Sequence, residues 1–220
     1  MTSAAVPGGR RVVVSAGPTY EDIDPVRFLG NRSSGRMGFA IAAAAARRGA
    51  DVVLVAGPVA LPTPDGVSRV DVRSAAQLHA AVIHALPADV YIGAAAVADW
   101  TPLVTAPGKL KKEADVDRLV LEFARTADVL REVARHPARP RLVVGFAAET
   151  SGDLAGHARA KLRDKGADVI AANRVGVVGS GFEADDNTLE VHWATGSRTL
   201  GPAPKARIAE QLLDLLAEIG

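Results

Sequence analysis

The chain has 220 residues, of which 26 are Lys or Arg and 25 are Asp or Glu, and it contains no cysteine. The length fits one or at most two domains, the balanced charge offers no basic surface for a nucleic acid, and the missing thiols exclude disulfides, thiolate metal sites and a cysteine nucleophile. No stretch approaches the roughly 18 apolar residues of a membrane span. We therefore expect a cytoplasmic protein with no membrane or nucleic-acid partner.

The first elements along the chain alternate between strands and helices. Residues 1–10 lack the apolar centre of a signal peptide and are predicted to be a flexible leader, and residues 11–220 are predicted to form a single domain. Short β-branched runs then alternate with Ala-rich or amphipathic segments. Strands are predicted at 10–17, 50–58, 68–72, 88–93, 141–150 and 167–173, and helices at 36–48, 74–86 and 152–166. This alternation is typical of a doubly wound, mostly parallel, Rossmann-like α/β sheet.

Two later segments depart from that alternation. Between Asp99 and Arg125, residues 109–112 and 118–124 are predicted to form an antiparallel excursion from the sheet. Residues 187–201 are predicted to form a C-terminal hairpin that turns near Thr195 and Gly196. An amphipathic helix at 205–220 then closes the chain.

The segment "GNRSSGRMG", residues 30–38, has the glycine spacing of a Walker loop but lacks its Lys and its Ser or Thr. Ser33, Ser34 and the amides of residues 35–38 could converge on an anion at the positive end of the following helix. The alternative is a purely structural role, in which Ser34 caps this helix and Gly38 allows close packing. In either case the segment is a poor site for nucleotide hydrolysis.

Several other chemistries find little support. A nicotinamide-dependent reductase fits the fold, but the first turn has no G-x-G-x-x-G and the second strand ends without an acid. The five histidines form no metal-binding pattern and are expected at the surface, and the chain has no G-x-S-x-G. Acidic residues at 21–24 and 185–186 could touch magnesium, although such residues usually cap turns. We expect chemistry without a covalent enzyme intermediate.

Lysine is used sparingly. Only six of the cationic residues are Lys, and five of them fall in two clusters, at 109–112 and at Lys161 and Lys165, while Lys205 stands alone. A compact, flexible ammonium could be needed at the clusters, for example against phosphate. A solvated surface is the alternative explanation.

Long ordered strings resemble one known family, the phosphopantothenate–cysteine ligase domain of bacterial coenzyme A biosynthesis. They include "SAGPTYEDIDPVRFLGNRSSGRMGFAIAAAAARRGA", "GAAAVADW", "KLKK", "VVGFAAET" and "GFEADDNTLEV", and the resemblance runs from about Val12 to the final helix. It implies that the carboxylate of 4′-phosphopantothenate attacks the α-phosphate of CTP, releasing pyrophosphate. The amine of cysteine then displaces CMP from the acyl-cytidylate. A noncatalytic nucleotide-binding protein remains an alternative, as does the reductase.

The resemblance also implies partners and site residues. Mg²⁺ would accompany CTP, the domain would be a homodimer whose excursion reaches the partner subunit, and a flavin-dependent decarboxylase would be fused or associated, with no flavin in this chain. Asn31 and Lys109 would be catalytic; Arg27, Asn31 and Ala96 would bind the acyl substrate; the metal ligands stay unassigned. The nucleotide would be bound by Gly93, Ala94, Ala95, Asp99, Lys109, Ala127, Asp128, Val129, Leu130, Phe146, Lys161 and Lys165.

Overall fold

The computed structural model describes residues 9–111, 117–149, 154–174 and 186–220. Nearly all of the predicted leader lies outside these residues. The strands are β1 (Arg11–Ala16), β2 (Tyr20–Asp22), β3 (Phe28–Gly30), β4 (Asp51–Ala56), β5 (Val67–Asp71), β6 (Val90–Gly93), β7 (Trp100–Pro102), β8 (Phe123–Arg125), β9 (Leu142–Glu149), β10 (Val169–Arg174), β11 (Asp186–Trp193) and β12 (Gly196–Pro204). The helices are α1 (Arg36–Arg47), α2 (Ala75–His84), α3 (Val129–Arg135), α4 (Leu154–Lys165) and α5 (Lys205–Ile219).

Eight strands form the central sheet in the order β5, β4, β1, β6, β9, β10, β11, β12. The first six of these pair in parallel, and β11 and β12 are antiparallel additions at the edge. The chain builds outward from β1 in one direction and then returns to start the other half at β6. The predicted doubly wound, Rossmann-like fold is therefore confirmed, and ligands in such sheets bind beyond the carboxyl ends of the strands at this reversal.

Helices cover both faces of the sheet because the parallel strands are apolar on both sides. Val12 and Val14 of β1 point to one face, in a core shared with Ile41 of α1 and Leu212 of α5. Val13 points to the opposite face and packs in a core with Leu78 of α2. The helix α4 covers β10 and β11 on this second face. Two apolar layers thus fix the sheet from both sides and leave its carboxyl edge to the loops.

The start of α1 is pressed against the end of β1. A Cβ atom added at Gly38 would lie 2.5 Å from the Cβ of Ala16, so no side chain fits between the helix and the strand. Gly35 caps the helix with a φ of 75°, a left-handed conformation that glycine adopts without strain, and no side chain caps the helix. The idea that Ser34 is the N-cap is therefore wrong, whereas the packing role of Gly38 is confirmed.

Two antiparallel ribbons stand beside the sheet. The strands β7 and β8 confirm an antiparallel excursion, but its predicted boundaries are wrong, since residues 109–111 form no strand and β8 begins only at Phe123. The strands β2 and β3 pair as a second ribbon that the sequence did not reveal. Backbone bonds such as Ala106 N–H to the carbonyl of Ile23, 2.9 Å, join the two ribbons. We refer to them together as the ribbon pair.

The C-terminal hairpin is confirmed, with its turn at Ala194 and Thr195 between β11 and β12. One expectation in this hairpin is wrong. His192 is only 4% exposed instead of lying at the surface, because β11 is covered by α4. Neither ring nitrogen has a hydrogen-bond partner among the residues that the structure describes.

Candidate functional site

Two adjoining cavities lie at the carboxyl edge of the parallel strands. The α1 cavity, about 680 Å³, is bordered by residues 31–38 at the start of α1, and the α3 cavity, about 770 Å³, by residues 125–131 at the start of α3. The two cavities share a wall made by Ala95, Val97, Asp99, Phe146 and Lys161. Together they form one divided crevice at the reversal point of the sheet, where this fold binds ligands.

Asn31 holds the wall of the α1 cavity in place. Its amide nitrogen Nδ2 donates to the carbonyl oxygens of Ala96 and Val97, at 3.0 and 3.2 Å. Because both neighbours are acceptors, they determine which way round the amide lies. The donors of Asn31 are therefore engaged, and its oxygen Oδ1, an acceptor, is the atom left for a ligand.

Further hydrogen bonds fix the loop that follows β6. The hydroxyl of Thr19 accepts from the amide of Ala98 at 2.9 Å, and the hydroxyl of Thr126 donates to the carbonyl of Ala98 at 2.6 Å. The backbones of Ala96 and Gly17 also pair, at 2.8 Å. Small residues in this loop bring its backbone close to both cavities, and the buried Thr19 keeps that backbone from shifting.

A hydroxyl pair lies at the floor of the α3 cavity. Ser15 Oγ and Tyr91 Oη are 3.1 Å apart, and both residues are buried and line the cavity. Burial raises the pKa of Tyr91 to about 12, against a smaller lowering effect of the bond to Ser15. The phenol therefore stays neutral, and the hydroxyl pair can offer a ligand one O–H donor and an acceptor oxygen. No motif in the sequence points to Tyr91, which has the pattern of an ordinary core residue within a strand.

One ion pair crosses the α3 cavity wall. Lys165 Nζ lies 2.5 Å from Asp128 Oδ2, and the two side chains are each 30% exposed. Asp128 is also the N-cap of α3, where it accepts from the amide of Arg131 at 3.2 Å. Lys161 lies one turn earlier on α4, borders both cavities and already has a partner in the structure. The two lysines thus face the crevice, and solvent alone does not account for them.

Most of the predicted site residues come together here, although their roles stay predictions. Those bordering the α1 cavity are Asn31, Ala94, Ala95, Ala96, Asp99, Phe146 and Lys161. Those bordering the α3 cavity are Gly93, Ala95, Asp99, Ala127, Asp128, Val129, Leu130, Phe146, Lys161 and Lys165. A larger cavity, about 1010 Å³, lies at the opposite edge beside the C-terminal Gly220, and none of the predicted residues lines it.

This combination of sheet, loops and cavities matches proteins that are already known. The model of one family, the DNA/pantothenate metabolism flavoprotein C-terminal domain, matches residues 8–219. The chain belongs to this family. The bifunctional coenzyme A biosynthesis protein CoaBC of Vibrio cholerae serotype O1 is 46% identical over 211 residues, which make up 96% of this chain and 53% of that protein. The chain thus spans about half the length of the curated relatives it matches.

Solved structures agree with this family assignment. The crystal structure of the C-terminal domain of CoaBC shares 36% identity and a TM-score of 0.80, covering 99% of this chain and 97% of that one. A mutant of Cab2 in complex with phosphopantothenate-cysteine has a TM-score of 0.77 at 14% identity, covering 95% of this chain and 86% of that one. At that identity the second likeness concerns the fold alone.

Two of the residues implied by resemblance to this family, Arg27 and Lys109, lie outside both cavities, on the ribbon pair. Arg27 donates from Nε and Nη2 to the buried carboxylate of Asp24, at 3.0 and 2.5 Å, and from Nη2 to the carbonyl of Leu110 at 2.9 Å. The amide of Leu110 donates to the same carboxylate at 3.1 Å. Asp24 therefore ties exposed Lys109, the neighbour of Leu110, to the segment that carries Arg27.

The charge of Asp24 is stabilised by these bonds. The Arg27 guanidinium, helped by the backbone amides of Val26, Leu110 and Arg27, holds the pKa of Asp24 well below its usual range. Asp24 and Glu21, which accepts from the amide of Ala75 at 2.7 Å, are thus engaged structurally. Within the described ranges no group of three or more His, Asp or Glu residues is placed to hold a metal ion, and no helix there is long and apolar enough to cross a membrane.

Proposed function

We propose that the chain is a ligase that uses CTP to join 4′-phosphopantothenate to cysteine through an acyl-cytidylate, releasing CMP and pyrophosphate. The observation that carries this proposal is the divided crevice, in which two cavities meet at a wall that includes Lys161 and Asp99. A reaction between two bound substrates needs such a shared boundary. The names of the relatives, bifunctional proteins of coenzyme A biosynthesis, support the pathway.

The α3 cavity suits the nucleoside. Gly93 and Ala95 leave room at the end of β6, and the neutral Tyr91 phenol and the backbone around residues 127–130 supply polar contacts. A nucleotide with its base in this cavity would direct its phosphates toward Lys161 and the α1 cavity. The ammonium group can stabilise the α-phosphate as negative charge builds up during attack by the carboxylate. Mg²⁺ would arrive with the triphosphate as part of the substrate.

Asn31 suits the second step. Its Nδ2 is held by the carbonyls of Ala96 and Val97, so it presents an acceptor to the crevice. The amine of cysteine must lose a proton as the amide forms, and a carboxamide oxygen can accept a hydrogen bond from that amine and orient it. No side chain of the protein forms a bond to the substrates in this scheme.

Lys109 and Arg27 would complete a site of the partner subunit. Among the residues that the structure describes, ten large apolar side chains are exposed, and nine of them lie on the ribbon pair and its loops, among them Val104, 76% exposed, and Val120, 83% exposed. Exposed apolar side chains concentrated in one region of a protein are typical of a protein interface. We infer a homodimer in which the ribbon pair of one subunit brings Lys109 to the crevice of the other.

The proposal is tested by omitting cysteine. With CTP, Mg²⁺ and 4′-phosphopantothenate alone, we expect one pyrophosphate for each active site and a bound acyl-cytidylate detectable by mass spectrometry. CTP binding without pyrophosphate release would instead indicate a noncatalytic nucleotide-binding protein. Micromolar binding of NADPH in a fluorescence titration would support the reductase. Competition between CTP and ATP in the same assay determines which nucleotide is used. A fused or associated decarboxylase and a cytoplasmic location remain predictions.

A further inference from the structure

The amino edge of the sheet, opposite the divided crevice, carries a cavity larger than either half of the crevice. This amino-edge cavity, about 1010 Å³, lies where β9 and β10 begin and where α4 and α5 end, and the turn between β11 and β12 borders it. None of the residues with a role in the proposed ligase lines it. The ligase reaction therefore does not account for this cavity.

Two arginines of α4 give the amino-edge cavity unbalanced positive charge. Arg159 and Arg163 line it one helical turn apart, and both are exposed. Neither makes a hydrogen bond or an ion pair within the part of the chain that the structure describes. Like charges four residues apart on a helix repel each other, so this pair is unfavourable without an anion. Arg141 also lines the cavity, where its Nη1 donates to the backbone oxygen of Gly220 at 2.6 Å.

The lining of the cavity does not supply the counter-charge. Asp168 is the one acidic side chain among the lining residues, and Arg139 Nη2 already donates to both of its oxygens at 2.8 Å. The amide of Val143 donates to the same carboxylate at 2.7 Å. The negative end of the helix dipole favours a cation in the last turn of α4, which accounts for Arg163. It does not account for Arg159, which lies before that turn.

The remaining wall is aromatic and apolar. The partly buried Trp193 at the end of β11 packs on Gly196, where an added Cβ atom would lie 2.8 Å from the indole ring. The ring is thus held in place by the turn that follows it. Leu162 of α4 and Ile219 of α5 add apolar surface. A concave site with a fixed ring and a few charged groups is typical of small-molecule binding, whereas protein interfaces are flatter.

We propose that the amino-edge cavity is a second ligand site, which binds a phosphorylated small molecule with an apolar or ring-shaped portion. Its phosphate would bind Arg159 and Arg163, and the rest of the molecule would pack on Trp193. Guanidinium groups bind phosphate in a bidentate manner, and two of them match a dianion better than the single charge of a carboxylate. The helix α4 also carries Lys161 and Lys165 at the crevice, so one helix joins the two sites. This inference goes beyond the ligase reaction and does not depend on it.

The fluorescence of Trp193 tests the proposal. The chain has two tryptophans, and Trp100→Phe leaves Trp193 as the single indole. Titration of this variant with phenyl phosphate at low salt should give a saturable change in emission. Adding Arg159→Gln and Arg163→Gln should weaken binding about 10- to 100-fold, as expected for lost charge-assisted bonds. Lysine at both positions should recover part of the loss, because it keeps the charge without the planar fork.

Two control variants separate this site from general charge effects and from the crevice. Arg135→Gln removes an exposed charge at the end of α3, outside the amino-edge cavity. Lys161→Gln removes a charge from α4 itself, on the side that borders the crevice. Each should change the affinity for phenyl phosphate less than about 3-fold. Inorganic phosphate should compete with phenyl phosphate but bind more weakly, since it lacks the ring.

Four results would overturn the inference. The emission of Trp193 does not saturate with phenyl phosphate; Arg135→Gln weakens binding as much as the two α4 substitutions; or Lys161→Gln abolishes the response, which would place the ligand in the crevice. In the fourth, an acidic peptide competes and inorganic phosphate does not, which would indicate a protein partner at this edge.

Discussion

The divided crevice and the ribbon pair differ in how completely one chain builds them. In the crevice, residues from β1, β6, β9, α3 and α4 meet within one subunit, and bonds such as Thr19 to Ala98 fix the loops. On the ribbon pair, Arg27 and Lys109 are exposed, line neither the α1 cavity nor the α3 cavity, and lie among uncovered apolar side chains of the described residues. The crevice is thus built within one chain, whereas the ribbon pair leaves apolar side chains uncovered, which is what the proposed homodimer would use.

The largest effects are expected from one substitution in each region, Lys109→Gln on the ribbon pair and Asn31→Asp in the crevice. Lys109→Gln should slow pyrophosphate release by about 100- to 1,000-fold. The substitution removes the positive charge that would stabilise the α-phosphate while the carboxylate attacks it. Asn31→Asp should allow the acyl-cytidylate to form but impair the amide step, since a carboxylate repels the leaving phosphate and misaligns the amine. Quench-flow with and without cysteine separates the two steps. The reverse assignment of steps would show that the two residues have been misplaced.

Mixing these two variants tests whether Lys109 acts across subunits. Consider a dimer of one Asn31→Asp chain and one Lys109→Gln chain. If each site takes Asn31 from one subunit and Lys109 from the other, one of the two sites contains both native residues and the other contains neither. Random reassociation should then restore about a quarter of the native activity, as expected for a symmetric dimer. If the mixture is as inactive as its components while the dimer reforms, Lys109 serves its own subunit.

A smaller effect should follow from a charge placed on the ribbon pair. Val104→Asp should shift the mass in analytical ultracentrifugation from dimer to monomer and reduce turnover about 10-fold or more, because a desolvated carboxylate opposes burial of this surface. Val70→Asp is the matched control, since Val70 is 42% exposed but lies on β5, away from the ribbons. If Val104→Asp has the same mass and turnover as the native chain, the ribbon pair does not depend on a partner surface and does not differ from the crevice in this respect.

The smallest effect concerns the Asp24 link that carries Lys109. The pKa of Asp24 is lower in the folded chain than its unfolded value of about 3.9, so its charge stabilises the fold fully above that pH and progressively less as pH falls below it. Asp24→Asn should therefore be less stable than the native chain at pH 7, with a gap that narrows below about pH 4. Thermal melts across pH measure this gap, and exposed Asp65→Asn should show none.

The long elements could be predicted from the sequence because their patterns are locally determined. The helix predicted at 36–48 is observed as α1, and the strand predicted at 50–58 is observed as β4, each within two residues at either end. Short elements were missed because tertiary contacts decide them. The helix α3 has only seven residues and is held by burial of Val129 and Val133, and β2 and β3 have three residues each.

The candidate site divides in the same way. Asn31 and residues 93–99 stand in strings that resemble a known family, so their grouping could be anticipated. Tyr91 and Lys205 belong to no motif; Tyr91 meets Ser15 across 76 positions of sequence, and Lys205 reaches the crevice only because β12 returns to its edge. Contacts at such separation follow from topology, which local patterns do not encode.

The close contact between Gly38 and Ala16 fixes the distance between α1 and β1. With Ala16 so near, the first turn of α1 can neither sink toward the sheet nor tolerate even a methyl group without being lifted away from it. The position of α1 relative to the strand ends therefore sets the distances between the groups that line the crevice. A Gly38→Ala chain could keep every polar group of the crevice and still hold them at the wrong distance from one another.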